Sequence, residues 1–138
     1  MNMIQSSCLL FGRFLMGVYF ILPAIRKIND FAGTSAYMEE HNVPIVSVLL
    51  VVTIIIQIVA GVAIIVGFKG KQSAFILAGL TLVISIFMHD FWGMEEGIAR
   101  SHELQNFFKN MGIMAGLLMI TGLGTGNFSL DQRKVTDR

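Results

Sequence analysis

The sequence predicts an all-α fold: a bundle of four transmembrane helices with short loops and both termini on the same side of the membrane. Composition is the first observation, because 54% of the 138 residues are hydrophobic, only 14% are charged, and the mean hydropathy is +0.71. Soluble domains carry about a quarter charged residues, so this chain is too apolar to be one. The second observation is a set of four apolar segments of helix length, at residues 4–28, 45–68, 73–92 and 103–123.

The first predicted span, residues 4–28, is interrupted by one basic residue and ends in two more. Residues recurring at steps of three and four lie on one helical face, and here that face carries Arg13, Gly17, Phe20, Ala24 and Lys27. Arg13 and Lys27 are separated by about 21 Å of helix rise. They are therefore expected near opposite boundaries of the membrane.

The second span, residues 45–68, contains no charged residue and gives the cleanest transmembrane signal. The turn Lys69-Gly70-Lys71 that follows is too short for anything but an antiparallel return. The third span, residues 73–92, ends in Met88-His89-Asp90-Phe91-Trp92, so its ionisable groups lie at one end. We therefore interpret the third span as the central helix of the predicted polar cluster.

Two polar connections and a polar tail separate and follow the spans. In the first connection, Ser35 is expected to cap a short surface helix over residues 36–41. Ser101 is expected to cap the fourth span. Residues 1–126 then form one membrane domain, and residues 127–138 form a polar C-terminal tail that is expected to fray.

Charge is distributed unequally between the two predicted membrane faces. Four spans place both termini and the Lys69–Lys71 turn on one face with six of the ten basic residues, which favours that face as cytoplasmic. The other face carries all three histidines and seven of the nine acidic residues. Because ionisable groups at membrane depth usually mark function, this pattern predicts a polar ligand pocket at that rim.

Several functional classes find no support in the sequence. The net charge of +1 gives no footprint for nucleic acid. Cys8 is the single cysteine, and no paired-cysteine, haem-attachment or glycine-rich phosphate motif occurs. The spacing of the histidines and acids does not match a metal site. We therefore predict no metal, no intrinsic cofactor and no catalytic residue that the sequence alone can assign.

Three motifs in order resemble the DoxX family of small bacterial membrane proteins. They are Arg13-Phe14-Leu15-Met16-Gly17-Val18-Tyr19-Phe20 with Lys27 and Asp30-Phe31, then His89-Asp90-Phe91-Trp92, then Gln105 through Lys109-Asn110 with Ala115-Gly116-Leu117-Leu118. Ala24 departs from the pattern, since relatives often carry glycine there. The resemblance implies a four-helix bundle in the bacterial inner membrane, links to quinone-dependent sulfur oxidation and membrane oxidoreductase complexes, and a distant relationship to the surfeit-locus cargo receptors.

The ligand-binding candidates are polar or aromatic residues that the predicted topology places at membrane depth or at the rim. They are Lys27, His89, Asp90, Trp92, Gln105, Lys109, Arg13 and Arg26. His89 and Asp90 are interpreted as a pair at a quinone headgroup. The alternative is a helix-end histidine bonded across the bundle, because adjacent helical residues do not face each other.

The basic and aromatic candidates also have two interpretations each. Arg26, Lys27 and Lys109 either bind an anionic group or lipid phosphate, or extend towards the headgroups. Arg13 either extends to the interface or pairs inside the bundle. Trp92 is either an interfacial anchor or a surface that stacks on a ligand ring.

Three functional hypotheses follow for a protein embedded in the lipid bilayer. The first is an accessory of a quinone-linked oxidoreductase system, which binds a quinone and serves a redox partner. The second is a non-catalytic structural or assembly subunit that packs against other membrane proteins or copies of itself. The third is a small transporter or lipid-binding protein, although no broken-helix pair typical of many transporters is present.

Overall fold

The structure is a computed structural model that describes residues 2–136. Over that range the chain is helical and contains no strand, which confirms the predicted all-α class. The helices are α1 (Met3–Asn29), α2 (Phe31–Glu40), α3 (Val46–Val66), α4 (Gly70–Met88), α5 (Ile98–Leu123) and α6 (Leu130–Thr136). Arg138 and the side chain of Lys134, both included in the predicted charge count, lie outside the described part.

Four long helices, α1, α3, α4 and α5, build the bundle around a shared core. Helix α1 packs most closely against α3, and α4 against α5, while contacts between α3 and α4 join the two pairs. Each long helix contributes at least one fully or almost fully buried apolar side chain to the core: Phe20, Ile64, Leu77 and Leu117. The core lies where the small-residue faces of the helices meet, as is usual for helices associating in lipid.

Three helical stretches are long and apolar enough to cross a membrane: Met3–Asn29, Val46–Val66 and Gly70–Gly93. Their outward surfaces carry large exposed apolar side chains such as Leu22, Ile55 and Phe75, which suits contact with lipid tails. Helix α5, which contains the predicted fourth span, is outside this set because its first half is polar. The membrane class is thus supported, and a total of four spans stays a prediction.

The two helix caps predicted in the connections are wrong. Helix α2 begins at Phe31, and Asp30 rather than Ser35 is its cap, with its Oδ1 accepting from the backbone N–H of Gly33 at 3.0 Å. A carboxylate at a helix N-terminus competes well with a hydroxyl further along the chain. Ser101 lies inside α5, one turn after its start, and its hydroxyl donates to the carbonyl of Gly97.

Helix α4 ends four residues before the end of the predicted span, at Met88. His89 follows in a non-helical conformation, and a short 3-10 turn occupies Phe91–Gly93. The rings of Phe91 and Trp92 pack edge to face with Phe107 of α5, with centroids 5.5 and 5.9 Å away. His89 and Asp90 therefore lie on a bend between α4 and α5 and not on a regular helix face.

The described part of the C-terminal tail is docked, so the expectation of fraying is wrong for these residues. Both carboxylate oxygens of Asp131 accept backbone N–H groups at the start of α4, from Lys69 and Gly70, each at 2.8 Å. The guanidinium of Arg13 donates to the carbonyl of Phe128. At Gly67, φ is +69° and an added Cβ would come within 2.3 Å of Ser129. Unsatisfied helix-end amides and a buried guanidinium both need partners, and the tail provides them.

Candidate functional site

A cavity of about 660 Å³ opens inside the bundle, with walls contributed by α1, α2, α3, α4 and α5. Its apolar wall includes Phe20, Pro23, Met38, Leu50, Ile84 and Met88. Its polar lining includes Tyr19, Arg26, Lys27, Asp30, Thr34, Tyr37, Thr53, Gln57, Thr81, His89, Lys109 and Asn110. The volume of the cavity falls in the range of small-molecule sites, about 300–1,000 Å³.

Lys27 extends from the last turn of α1 into this cavity. Its Nζ donates to Oε1 of Gln57 at 3.3 Å, and Gln57 is buried. Gln57 lies near the middle of α3, about 16 Å along the helix from Val46. Side chains on a helix lean towards its N-terminus, so this lysine extends back towards the bundle interior and not outward from the helix end.

A chain of hydrogen bonds crosses the bundle on the other side of the cavity. The hydroxyl of Tyr19 in α1 donates to Oδ1 of Asn110 in α5 at 3.1 Å. The Nδ2 of Asn110 donates to the hydroxyl of Ser85 in α4 at 3.1 Å, and that hydroxyl donates to the carbonyl of Thr81 at 2.6 Å. Asn110 and Ser85 are buried, and their hydrogen-bonding groups are satisfied within this chain.

Two histidine–carboxylate pairs close the end of the bundle near α2. Nδ1 of His89 lies 2.6 Å from Oε2 of Glu103 in α5. Nδ1 of His41, at the end of α2, lies 3.4 Å from Oδ1 of Asp90. His89 and Asp90 therefore have separate partners, and the predicted pairing of the two with each other is not formed.

Tyr37 connects this histidine cluster with the cavity. Its ring packs edge to face with His41, with centroids 4.6 Å apart, and it also lines the cavity. Burial raises the pKa of Tyr37 above its ordinary value, and the nearby negative charges of Glu103, Asp90 and Glu40 raise that pKa further. The phenol is therefore held in its neutral form, which donates a hydrogen bond.

The structure brings four of the eight predicted ligand-binding residues to the cavity: Arg26, Lys27, His89 and Lys109. The other four lie elsewhere. Arg13 is buried in the N-terminal half of α1, Asp90 pairs with His41, Trp92 is 56% exposed, and Gln105 is exposed on α5. Within the described residues, no group of three or more histidines, cysteines and acids is placed to hold a metal ion.

Comparison with known proteins identifies the family. A sequence model of the DoxX family matches residues 8–90, which is more than half of the chain. The chain belongs to the DoxX family. This DoxX protein is 33% identical to inner membrane protein YqjF of Escherichia coli, over 96% of the chain and 95% of YqjF. It is 29% identical to inner membrane protein YphA of the same organism, over 91% of the chain and 89% of YphA.

More distant similarity extends to a eukaryotic protein. The DoxX chain is 28% identical to a surfeit locus protein 4 homolog of Schizosaccharomyces pombe, over 79% of the chain and 44% of that protein. Among solved structures, none matches the chain significantly. The relatives and the apolar helices together make this DoxX chain an integral membrane protein.

Sequence reasoning omitted Tyr19, Tyr37, Gln57 and Asn110 of this DoxX cavity from its site residues. A usable signal existed for Gln57, which is the one strongly polar residue in an uncharged apolar span. Tyr19 follows the spacing of four that places it on the same face as Pro23 and Lys27. Asn110 and Tyr37 carry no comparable signal, because each lies in a segment rich in other polar residues.

Proposed function

We propose that this DoxX protein binds a quinone or a similar amphipathic ligand in the cavity and serves a membrane redox partner. The observation that carries the proposal is the inward course of Lys27, whose ammonium group donates to the amide oxygen of Gln57 inside the bundle. An ionisable group directed into the interior of a membrane bundle is costly and usually marks a ligand site. In this proposal the redox centre belongs to the partner protein.

The lining of the cavity suits the two parts of such a ligand. Hydrogen-bond donors are available from the ammonium of Lys27 and the phenol of Tyr37, and a quinone offers two carbonyl oxygens that accept. The side chains of Phe20, Leu50 and Ile84 provide an apolar wall for the ring and its tail. Ligand sites of this size are typically apolar with a few polar groups that set orientation.

His89 adds an imidazole ring to the lining of the cavity. Because the carboxylate of Glu103 only accepts hydrogen bonds, Nδ1 of His89 is the protonated nitrogen of this contact. The other ring nitrogen, Nε2, then stays available to a ligand in the cavity that His89 lines. This arrangement supports a role for His89 in contacting a quinone oxygen.

The ligand proposal is tested by identifying what copurifies with the protein. The full chain is purified in mild detergent and extracted with organic solvent, and quinones are quantified by chromatography and mass spectrometry. We expect stoichiometric quinone in the wild type and in Lys71→Met, whose lysine contacts the carbonyl of Gly122 away from the cavity. We expect little quinone in Lys27→Met and His89→Ala.

Two outcomes of this measurement would contradict the proposal. If the wild type carries no more quinone than an unrelated membrane protein purified in the same way, the quinone proposal fails. If Lys27→Met retains the quinone of the wild type, the ligand lies outside this cavity. Equal melting temperatures of Lys27→Met and Lys71→Met exclude loss of folding as the cause of ligand loss.

We also propose four spans in the bacterial inner membrane with both termini cytoplasmic. Helix α5 has 26 residues, or about 39 Å of rise, which exceeds the hydrocarbon thickness of about 30 Å. It packs against α4, and the two relatives that align over most of their length are inner membrane proteins. Alkaline phosphatase and green fluorescent protein fusions test this topology. Phosphatase activity is expected after residue 95 and fluorescence after residue 138, and the reverse pattern would invert the topology.

A further inference from the structure

We infer that the ligand headgroup bound in the cavity carries a negative charge on oxygen, as a carboxylate or a phenolate does. This inference rests on the ligand site proposed above and goes beyond it, because an oxidised quinone is neutral. It follows from the charge of the lining residues, from the surroundings of Lys27, and from the difference in depth between Lys27 and the other two cations.

The lining of the cavity carries more positive than negative charge. Arg26, Lys27 and Lys109 contribute three cations, and Asp30 is the one carboxylate among the lining residues. The Oδ1 of Asp30 caps α2 by accepting a hydrogen bond from the backbone N–H of Gly33. Within the described part of the chain, none of the three cations lies within 4.0 Å of a carboxylate oxygen.

Lys27 is the cation whose charge most needs a partner. A lysine near a helix end normally extends to the membrane surface, where water solvates it, but this one contacts a buried amide in the bundle. An ammonium has three donors, and the oxygen of Gln57 takes one of them. A neutral acceptor or a water molecule would satisfy the remaining donors but would leave the charge uncompensated in a low-dielectric interior. An anionic oxygen satisfies both needs.

Depth separates this site from ordinary binding of lipid headgroups at the rim. Arg26 and Lys109 are exposed, and an anionic phospholipid at the surface could contact them without entering the bundle. Lys27 is half-buried and extends towards the middle of α3. A ligand that uses Lys27 must insert its headgroup between the helices, with its apolar part along Phe20 and Leu50.

The charge requirement is tested with two probes that differ only in the headgroup. The full chain is reconstituted in nanodiscs of neutral phosphatidylcholine, and binding of tritiated dodecanoate is measured by scintillation proximity above pH 8, with protein-free nanodiscs subtracted. Unlabelled dodecanoate and dodecanol then compete for the site. We expect dodecanoate to compete at least about tenfold better, the size of one hydrogen bond to a charged group.

Variants assign the preference to one side chain. Lys27→Gln should bring the dodecanoate-to-dodecanol ratio close to one, while Lys27→Arg, which keeps the charge, should retain it. Lys71→Gln is the matched control at the other end of the bundle and should behave as the wild type. The inference is overturned if dodecanol competes as well as dodecanoate, or if Lys27→Gln keeps the wild-type ratio while melting at the same temperature.

A further arm distinguishes the two sources of an anionic headgroup. If nanodiscs containing phosphatidylglycerol displace dodecanoate from the wild type but not from Lys27→Gln, the bound anion is a lipid headgroup. If they do not displace it, a free amphipathic anion is the ligand. Copurifying quinone without a charge preference would leave the proposed function standing and remove this inference, and a charge preference without quinone would do the reverse.

Discussion

Nδ1 of His89 lies 2.6 Å from Oε2 of Glu103, and this contact joins the end of α4 to the beginning of α5. Only 17% and 20% of the two side chains are exposed, so water screens the contact weakly. The connection between the helices, residues 89–97, is short and contains a 3-10 turn at Phe91–Gly93. Glu103 therefore holds in place the one histidine that lines the cavity.

The strength of this contact is testable with Glu103→Gln. The amide keeps the shape of the side chain but removes its charge, so we expect the free energy of unfolding to fall by about 1 kcal/mol. Unfolding in mixed detergent micelles measures the change. Asp90→Asn is the matched control, because Asp90 is 44% exposed and its contact with His41 is longer, and its expected effect is below about 0.5 kcal/mol. Equal losses in both variants would contradict a special role for Glu103.

Helices α1 and α3 lie close together at Gly17. A Cβ added there would lie 2.3 Å from Cγ1 of Ile65 and 2.6 Å from the backbone oxygen of Gly61. The backbone oxygen cannot move without shifting α3, so Gly17→Ala should destabilise the bundle by about 1–3 kcal/mol.

Gly12→Ala is the control for this prediction, because it changes the same residue type on the same helix. Nothing lies within 4 Å of the added methyl at Gly12, so the substitution is expected to be neutral or stabilising, given the higher helix propensity of alanine. Melting temperatures of the two variants in the same detergent make the comparison. If Gly17→Ala were as stable as Gly12→Ala, α1 and α3 would not pack as closely as described.

Asp131 provides the cap that α4 lacks in its own sequence. Lys69, the residue before α4, has a left-handed backbone and makes no side-chain cap hydrogen bond, whereas Asp131 accepts from two backbone N–H groups there. Asp131→Ala should therefore cost about 1–2 kcal/mol. It should also make the C-terminal segment cleavable by added protease. Glu96→Ala removes an exposed acid elsewhere and should change neither property; protection that persists in Asp131→Ala would count against the cap.

The raised pKa of Tyr37 gives a prediction on pH. In a Tyr19→Phe variant, Tyr37 is the remaining tyrosine, and the near-ultraviolet absorbance of phenolate should appear above pH 10 in the folded protein. The phenol of Tyr37 keeps its proton to a higher pH in the folded state than in the unfolded chain. The associated stability is therefore complete below the unfolded pKa of about 10 and is lost as the pH rises through the folded value.

A comparison between folded and denatured protein checks this titration. Denaturing the Tyr19→Phe variant should return the midpoint of the phenolate titration to that of a free tyrosine. Replacing Glu103 by Gln in the same background should lower the folded midpoint, because one of the negative charges that oppose ionisation is removed. An identical midpoint in folded and denatured protein would show that Tyr37 is solvated.

The membrane class and the all-α fold were predictable because long apolar runs determine both. An uncharged run at residues 45–68 predicts a helix, and α3 occupies Val46–Val66. Backbone groups in lipid must be satisfied within their own segment, so a run of this length has few alternatives to a helix. The helix faces that pack in the bundle core were predictable too, because small residues such as Gly17 and Gly61 lie on them.

The partners of the ionisable residues were not predictable in the same way. Whether His89 meets Asp90 or Glu103 depends on where α4 ends, and the helix ends at Met88 while the apolar pattern continues to Trp92. The docking of the tail depends on free backbone amides at the start of α4, which no side chain in the sequence marks. The inward course of Lys27 depends on the length of its side chain and on the buried amide of Gln57, a pairing across 30 positions of the chain.

The hydrogen bond from Arg13 to the carbonyl of Phe128 joins two positions 115 residues apart. Contacts between residues so far apart in sequence form late in folding, because closing the long loop between them costs conformational entropy before the contacts can stabilise the structure. We therefore expect α1, α3 and α4 to assemble before the C-terminal segment is fastened over them. The time at which that segment becomes resistant to proteolysis would then report the last step of folding in the membrane.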